Sequence, residues 1–117
     1  MDAKQAELRE KLDGILKQAA DVAAEIQAIE QGTGTPHYDQ IEIPAHEAGQ
    51  RLSRMVQASR AGEVAAEQRT ECDCPECGLS CPVEVSRREV HSMDGPVELT
   101  ETVAYCRRCR RSFFPSA

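Results

Sequence analysis

"ECDCPECGLSC", residues 71–81, carries four of the chain's six cysteines: Cys72, Cys74, Cys77 and Cys81. The other two, Cys106 and Cys109, stand in "YCRRCRRSFFP", residues 105–115. A structural zinc site takes four ligands, so the fold of this half depends on which four are used. Cys74-Pro75-Glu76-Cys77 is followed by Gly78, and Cys106-Arg107-Arg108-Cys109 repeats its spacing after 28 intervening residues. A two-residue spacing wraps the chain tightly enough for both sulfurs to face one ion. Gly78 falls where such a turn needs positive φ.

The segments between the two pairs, "PVEVSRREVH" and "VELTETVAYC", read as strands. "MDGP" between them supplies the Asp-Gly pair favoured at tight hairpin turns. A hairpin returns both cysteine pairs to one place, which accounts for a separation longer than the roughly 15–20 residues of compact four-cysteine motifs. Cys74, Cys77, Cys106 and Cys109 are therefore the expected ligands of a structural zinc ion, within a zinc ribbon over residues 71–117. Val97, Leu99, Val103 and Tyr105 share one face of the second strand, with Glu101 interrupting it. A short strand at Ser112–Pro115 is expected to bring Phe113 and Phe114 back across the hairpin.

Cys72 and Cys81 are then surplus, although Cys81 could compete for Cys77's partner. Iron suits the same four-sulfur set as zinc. Redox use of a Cys-x-x-Cys pair calls for a βαβ setting, and neither pair has one. His91, alone on a strand, reads as a surface residue, and His37 and His46 carry no site signal.

Upstream, Leu8, Leu12, Ile15, Ala19, Val22, Ile26 and Ile29 recur at alternating spacings of four and three, a heptad stripe. Asp2 with Gln5 forms an N-terminal capping signal and Gly32 a stop, so residues 1–31 are expected to form one long helix. So narrow a stripe suits a coiled-coil seam or an antiparallel hairpin with the next helix. Residues 32–44, with two glycines and two prolines, read as a linker holding a brief extended piece at Ile41 and Ile43. Pro44 suits the start of a second helix over residues 45–70, which Gly49 and Gly62 weaken. The fold class is therefore small α+β, a long N-terminal helix (coiled-coil or helical hairpin) followed by a four-cysteine zinc-ribbon β-hairpin.

The 117 residues include two Phe, two Tyr and no Trp, so a metal, a partner chain or both must supplement the core. The net charge of −6 divides into −5 on residues 1–71 (eight basic, thirteen acidic) and −1 on residues 72–117 (six basic, seven acidic). That excludes a polycation that holds nucleic acid by overall charge. It leaves a local basic patch, Arg107, Arg108, Arg110 and Arg111 around Cys109. No stretch approaches the roughly 18 apolar residues of a membrane span, and the N-terminus lacks the pattern of a signal peptide. The expected location is the cytoplasm, where paired cysteines serve as metal ligands more often than as disulfides.

"CPECG", then "GPVEL", then "YCRRCRRSFFP" together resemble the N-terminal zinc-ribbon region of bacterial insertion-sequence transposases of the Kra group. There a "CPxCG" knuckle precedes a "GxVxL" hairpin and a "YxCxxCxxxFFP" close. The specific likeness covers residues 74–115, and the helical segment is similar in placement only. It implies Cys74, Cys77, Cys106 and Cys109 as zinc ligands and Arg107, Arg108, Arg110 and Arg111 as DNA-backbone contacts. It also implies a large catalytic domain beyond the ribbon, whose metal-binding carboxylates match no residue here. The arginine pair in the second knuckle, where relatives often carry proline, and the extra Cys72 and Cys81 depart from the family pattern.

The resulting expectation is a non-catalytic N-terminal fragment of a DNA transposase. Its ribbon would contribute DNA binding, and its helical arm would contribute assembly, including homo-oligomerisation through residues 8–29. The alternative is a zinc-stabilised protein-interaction adaptor acting through the coiled-coil helix. No catalysis is expected, because a four-cysteine zinc leaves no open position and the chain has neither a Ser/His/Asp grouping nor a phosphate-cradling glycine loop.

Overall fold

Asp2 opens α1 (Ala3–Gln31): its side chain accepts a hydrogen bond at 2.7 Å from the N–H of Gln5, one of the donors that a helix start leaves without an intrahelical partner. Gly32 closes the helix at φ 70° and ψ −141°, a positive-φ conformation outside the left-handed helical region that glycine adopts far more readily than a residue with a Cβ. The computed structural model describes residues 2–67 and 70–115. Two compact units divide the chain, Met1–Gly49 and Gln50–Ala117. No residue of α1 is buried, and the heptad residues Leu8, Leu12, Ile15, Val22, Ile26 and Ile29 are 50–77% exposed. The stripe is thus not covered by the described residues.

The second helix, α2 (Tyr38–Ala66), begins well before residue 45 and carries Pro44 in its interior. The segment expected to be linker and extended piece, including Ile41 and Ile43, is therefore helical from Tyr38 onward. Of the residues expected to end this helix, Gln68 and Arg69 lie outside the described residues. An interior proline normally costs a helix about 3 kcal/mol, because it removes an N–H and orphans the carbonyl four residues earlier. Here that carbonyl belongs to Gln40, and it accepts a hydrogen bond from Gln31 Nε2 of α1 at 3.0 Å. Gln27 Nε2 donates likewise to the Ile41 carbonyl at 3.2 Å. Two glutamines of α1 thus satisfy the carbonyls that flank the proline's disturbance.

The remainder forms one antiparallel sheet in the order β1 (Glu71–Asp73), β2 (Ser80–Ser92), β3 (Gly95–Cys106), β4 (Arg111–Phe113). The hairpin pairs Ser92 with Gly95 at one end and Val83 with Ala104 at the other. Its loop is Met93-Asp94, both with negative φ, and Gly95 carries φ 107°. A type I′ turn would need positive φ at both loop residues, so the Asp-Gly pair works through its glycine alone. From α2, Ser53 Oγ donates to Asp94 Oδ2 at 2.5 Å and Arg54 Nη1 to the Asp94 carbonyl at 2.8 Å, fixing the turn.

The buried face of β3 changes along its length. Near the turn Val97 is buried, as the alternation predicts, but towards the cysteines the buried residues are Thr102, Ala104 and Cys106, on the opposite face, while Tyr105 is exposed. Successive strand residues point to opposite sides. Directing Cys106 at the cysteine cluster therefore commits Ala104 and Thr102 to that side and turns Tyr105 outward. Glu101 interrupts the other face because it is a partner there: Arg88 Nε and Nη2 reach its two oxygens at 2.8 and 2.9 Å. That hydrogen bonding holds the Glu101 carboxyl below the usual carboxylate range. Phe113 packs at the cysteine cluster, whereas Phe114 stays exposed beneath the Arg88 guanidinium, 5.7 Å from its ring centroid. No described helix is long and apolar enough to cross a membrane.

Pro44→Ala restores the N–H aimed at Gln40. Amide exchange across residues 41–48 should slow by about tenfold or more, in keeping with the helix-interior penalty of proline. Unchanged protection would mean that Gln31 already offsets the whole cost.

Candidate metal centre

Cys74 and Cys77 lie in the turn between β1 and β2, Cys106 ends β3, and Cys109 lies in the turn before β4. The two knuckles share one construction. The Gly78 N–H donates to the Cys74 carbonyl at 2.9 Å, and the Arg110 N–H donates to the Cys106 carbonyl at 2.8 Å. Each turn closes on a positive φ one residue past its second cysteine, 76° at Gly78 and 56° at Arg110. Glycine adopts this conformation freely, whereas in arginine it costs about 1–2 kcal/mol. A strained non-glycine residue at such a turn is a reason to ask what its side chain is for.

The four sulfurs of Cys74, Cys77, Cys106 and Cys109 lie within 4.8 Å of one another. Cys74 Sγ is 3.8 Å from Cys109 Sγ, and Cys77 Sγ is 3.5 Å from Cys106 Sγ. An ion held tetrahedrally at about 2.3 Å from each sulfur sets sulfur–sulfur edges of about 3.8 Å. The cluster thus lies close to the spacing that a soft four-coordinate metal ion requires. Cys74 and Cys106 are buried, Cys77 and Cys109 half-buried, as befits a closed site.

Electrostatics point the same way. The N–H of Cys109, 3.4 Å from Cys106 Sγ, is the largest influence drawing the Cys106 thiol down to about 6; the thiols of Cys77 and Cys74 and the N–H of Arg108 add to it. Cys109 is pushed up to about 12, first by its hydrogen bond with Cys77 and then by burial. One thiolate forms readily in this cluster, and further ones need a cation to offset their mutual repulsion.

The surplus cysteines are separated by geometry. Cys72 and Cys81 face each other across β1 and β2. Cys81, 1% exposed, packs in the core beside Cys74, Cys106 and Ala104, and its Sγ donates to the Leu79 carbonyl at 3.2 Å. Burial, more than its neighbours, raises its pKa and keeps it a neutral thiol. Strand β1 leaves no trace in the sequence pattern, because three residues are too short to show alternation. His91 lies opposite Pro96, next to the hairpin turn, exposed and apart from the cysteines.

The four arginines also separate. Arg107, Arg108 and Arg110 are exposed and carry no ion pair among the described residues, whereas Arg111 Nη1 reaches Glu76 Oε1 at 3.0 Å. Glu76 thereby ties the first knuckle to the second. The signal for it is its position as the only acidic residue inside either Cys-x-x-Cys loop, against the arginine run of the other pair. Comparison of the chain with protein-family models, curated proteins and solved structures finds no match.

Replacing Cys72 and Cys81 together by serine should leave one bound metal per chain, since a serine at 81 keeps a donor for the Leu79 carbonyl. Replacing Cys74 or Cys106 by serine should abolish binding. A chelator should unfold the hairpin and spare the helicity of α1, read as NMR signals of Val97 and Ala104 lost while those of Leu12 and Ile15 persist. Loss of metal from the Cys72/Cys81 variant, or hairpin signals indifferent to chelation, would contradict this assignment.

Proposed function

We propose that the chain is a zinc-stapled, non-catalytic DNA-binding module whose ribbon grips the phosphate backbone and whose helical arm assembles copies. Zinc is the ion proposed for Cys74, Cys77, Cys106 and Cys109, on the strength of four cysteine sulfurs gathered within 4.8 Å of one another. It would serve as a structural cross-link, with no open coordination position for water or substrate.

The observation that carries the reading is the second knuckle. A turn held by its own cysteine hydrogen bonds presents Arg107, Arg108 and Arg110 to solvent without acidic partners among the described residues, and places Arg110 at a backbone position where glycine would be easier. Arginine guanidinium groups are suited to phosphate oxygens, and such contacts position a protein without reading sequence. The overall charge of −6 limits affinity, so binding is local and weak. The resemblance of residues 74–115 to the Kra-group transposases supports DNA as the polyanion. It rests on those motif residues alone, and membership of that group is part of the proposal, as is a bacterial cytoplasmic location.

A second reading, a protein-interaction adaptor, is favoured by the uncovered heptad stripe of α1. It predicts a tight oligomer without DNA affinity.

The metal-loaded full chain should bind duplex DNA of arbitrary sequence with an affinity that falls steeply with salt. Arg107→Ala, Arg108→Ala and Arg110→Ala combined should reduce the slope of log affinity against log salt by roughly two to three. DNA affinity indifferent to salt and to these changes would sink the proposal in favour of the adaptor.

A further inference from the structure

The exposed stripe of α1 has a geometry that specifies its own partner. The spacing assigns Leu12, Ala19 and Ile26 to heptad position a and Leu8, Ile15, Val22 and Ile29 to position d. Gln5 falls at the preceding a position. Contacts from the start of α2 reach Gln27 and Gln31, at positions b and f, the side of α1 away from this seam. The seam therefore stays open, with Ile29, at its C-terminal end, 77% exposed.

The residues flanking the seam are Lys4, Lys11, Gln18 and Glu25 at position g, and Arg9, Leu16, Ala23 and Glu30 at position e. In a parallel, in-register pair of helices, position g faces position e of the next heptad on the partner. That would set Lys4 against Arg9 and Glu25 against Glu30, with like charges in both pairs. In an antiparallel pair, g faces g and e faces e. Lys4 then meets Glu25, Arg9 meets Glu30, and Leu16 meets Ala23, so both charged pairs are opposite in sign and the apolar pair widens the seam.

Packing within the seam favours the same direction. A parallel pair stacks Ala19 on Ala19 and leaves a gap between two small side chains, and it buries Gln5 against Gln5. The antiparallel pair sets Ala19 against Ile15, Leu12 against Val22, Leu8 against Ile26, and Gln5 against Ile29 at the ends. Large side chains then fill the space that small ones leave, as close-packed interiors require.

We propose that α1 is an antiparallel dimerisation element, in which a second copy of this chain lays its own α1 along the seam in the reverse direction. The inference rests on reading α1 as the assembly arm and adds the partner's direction and register. Running in opposite directions, the two copies' helices carry their chains away from opposite ends of the seam.

The test exploits a double change with opposite consequences for the two directions. Arg9→Glu with Glu25→Lys turns every charged flank contact of the antiparallel pair into a like-charge contact, and every one of the parallel pair into an opposite-charge contact. Both residues are exposed on a capped helix, so circular dichroism should remain unchanged. Sedimentation equilibrium of the metal-loaded full chain should show wild type in a monomer–dimer equilibrium and the double variant at least about tenfold weaker. Reversing all four charges, at Lys4, Arg9, Glu25 and Glu30, should restore association. A tighter dimer from the double variant would overturn the antiparallel direction while keeping the assembly arm. A wild type that stays monomeric at every concentration would overturn both.

Discussion

Four thiols held within 4.8 Å of one another are the constraint on which the ribbon depends. Sulfurs so close cannot all ionise without a cation, and as neutral thiols they gain little from the contact. The rest of the unit is arranged to bring them together: β1, β2, β3 and β4 all run to or from a knuckle, and the hairpin between the pairs closes the distance along the chain. Among the described residues, those buried are cysteines apart from Val97, Ala65, Thr102 and Ala104. Cys106 is fully buried, and Cys81, barely exposed, fills the space beside the cluster. Leu79, Val83 and Phe113 pack against the cluster but are only partly buried, so apolar burial does not dominate. A metal in such small domains contributes about 10–16 kcal/mol, an order of magnitude above what Ala104 or Cys81 supplies by leaving water.

How far the sequence could be read follows from the range of each signal. The clustering of the two cysteine pairs was legible because a Cys-x-x-Cys step, in the first pair with a following glycine, is local turn chemistry, complete within five residues. The hairpin was legible from its strand composition and its Asp-Gly pair. The buried face of β3 was not, because size alternation favours Val103 and Tyr105, whereas the strand's orientation at that end is set by Cys106. Pro44 and two glycines nearby suggested a break, and helix prevailed because Gln31, on another helix, answers the orphaned carbonyl of Gln40. Glu101 looked like a flaw in an apolar face for the same reason. Its partner Arg88 lies on the neighbouring strand, where only register reveals it.

A metal held by the four cysteines would also give the second knuckle a rigidity that exposed loops lack. Three arginines with no acidic partner among the described residues sit on a turn whose two ends are fixed, one by β3 and the other by β4. The Glu76–Arg111 pair braces that turn against the first knuckle. Exposed pairs of this kind add little to stability, so the brace matters mainly for orientation. The heptad seam and the arginine knuckle thus belong to different units of the chain. The proposed function calls for such a division, with assembly through one unit and polyanion contact through the other.

The composition of the metal site is the most direct test of the closed staple. X-ray absorption at the metal edge of the loaded protein should show four sulfur neighbours at about 2.3 Å and no nitrogen or oxygen in the coordination sphere. A coordination sphere containing nitrogen or oxygen, or no stoichiometric metal at all, would contradict the four-cysteine site from which the ribbon is built.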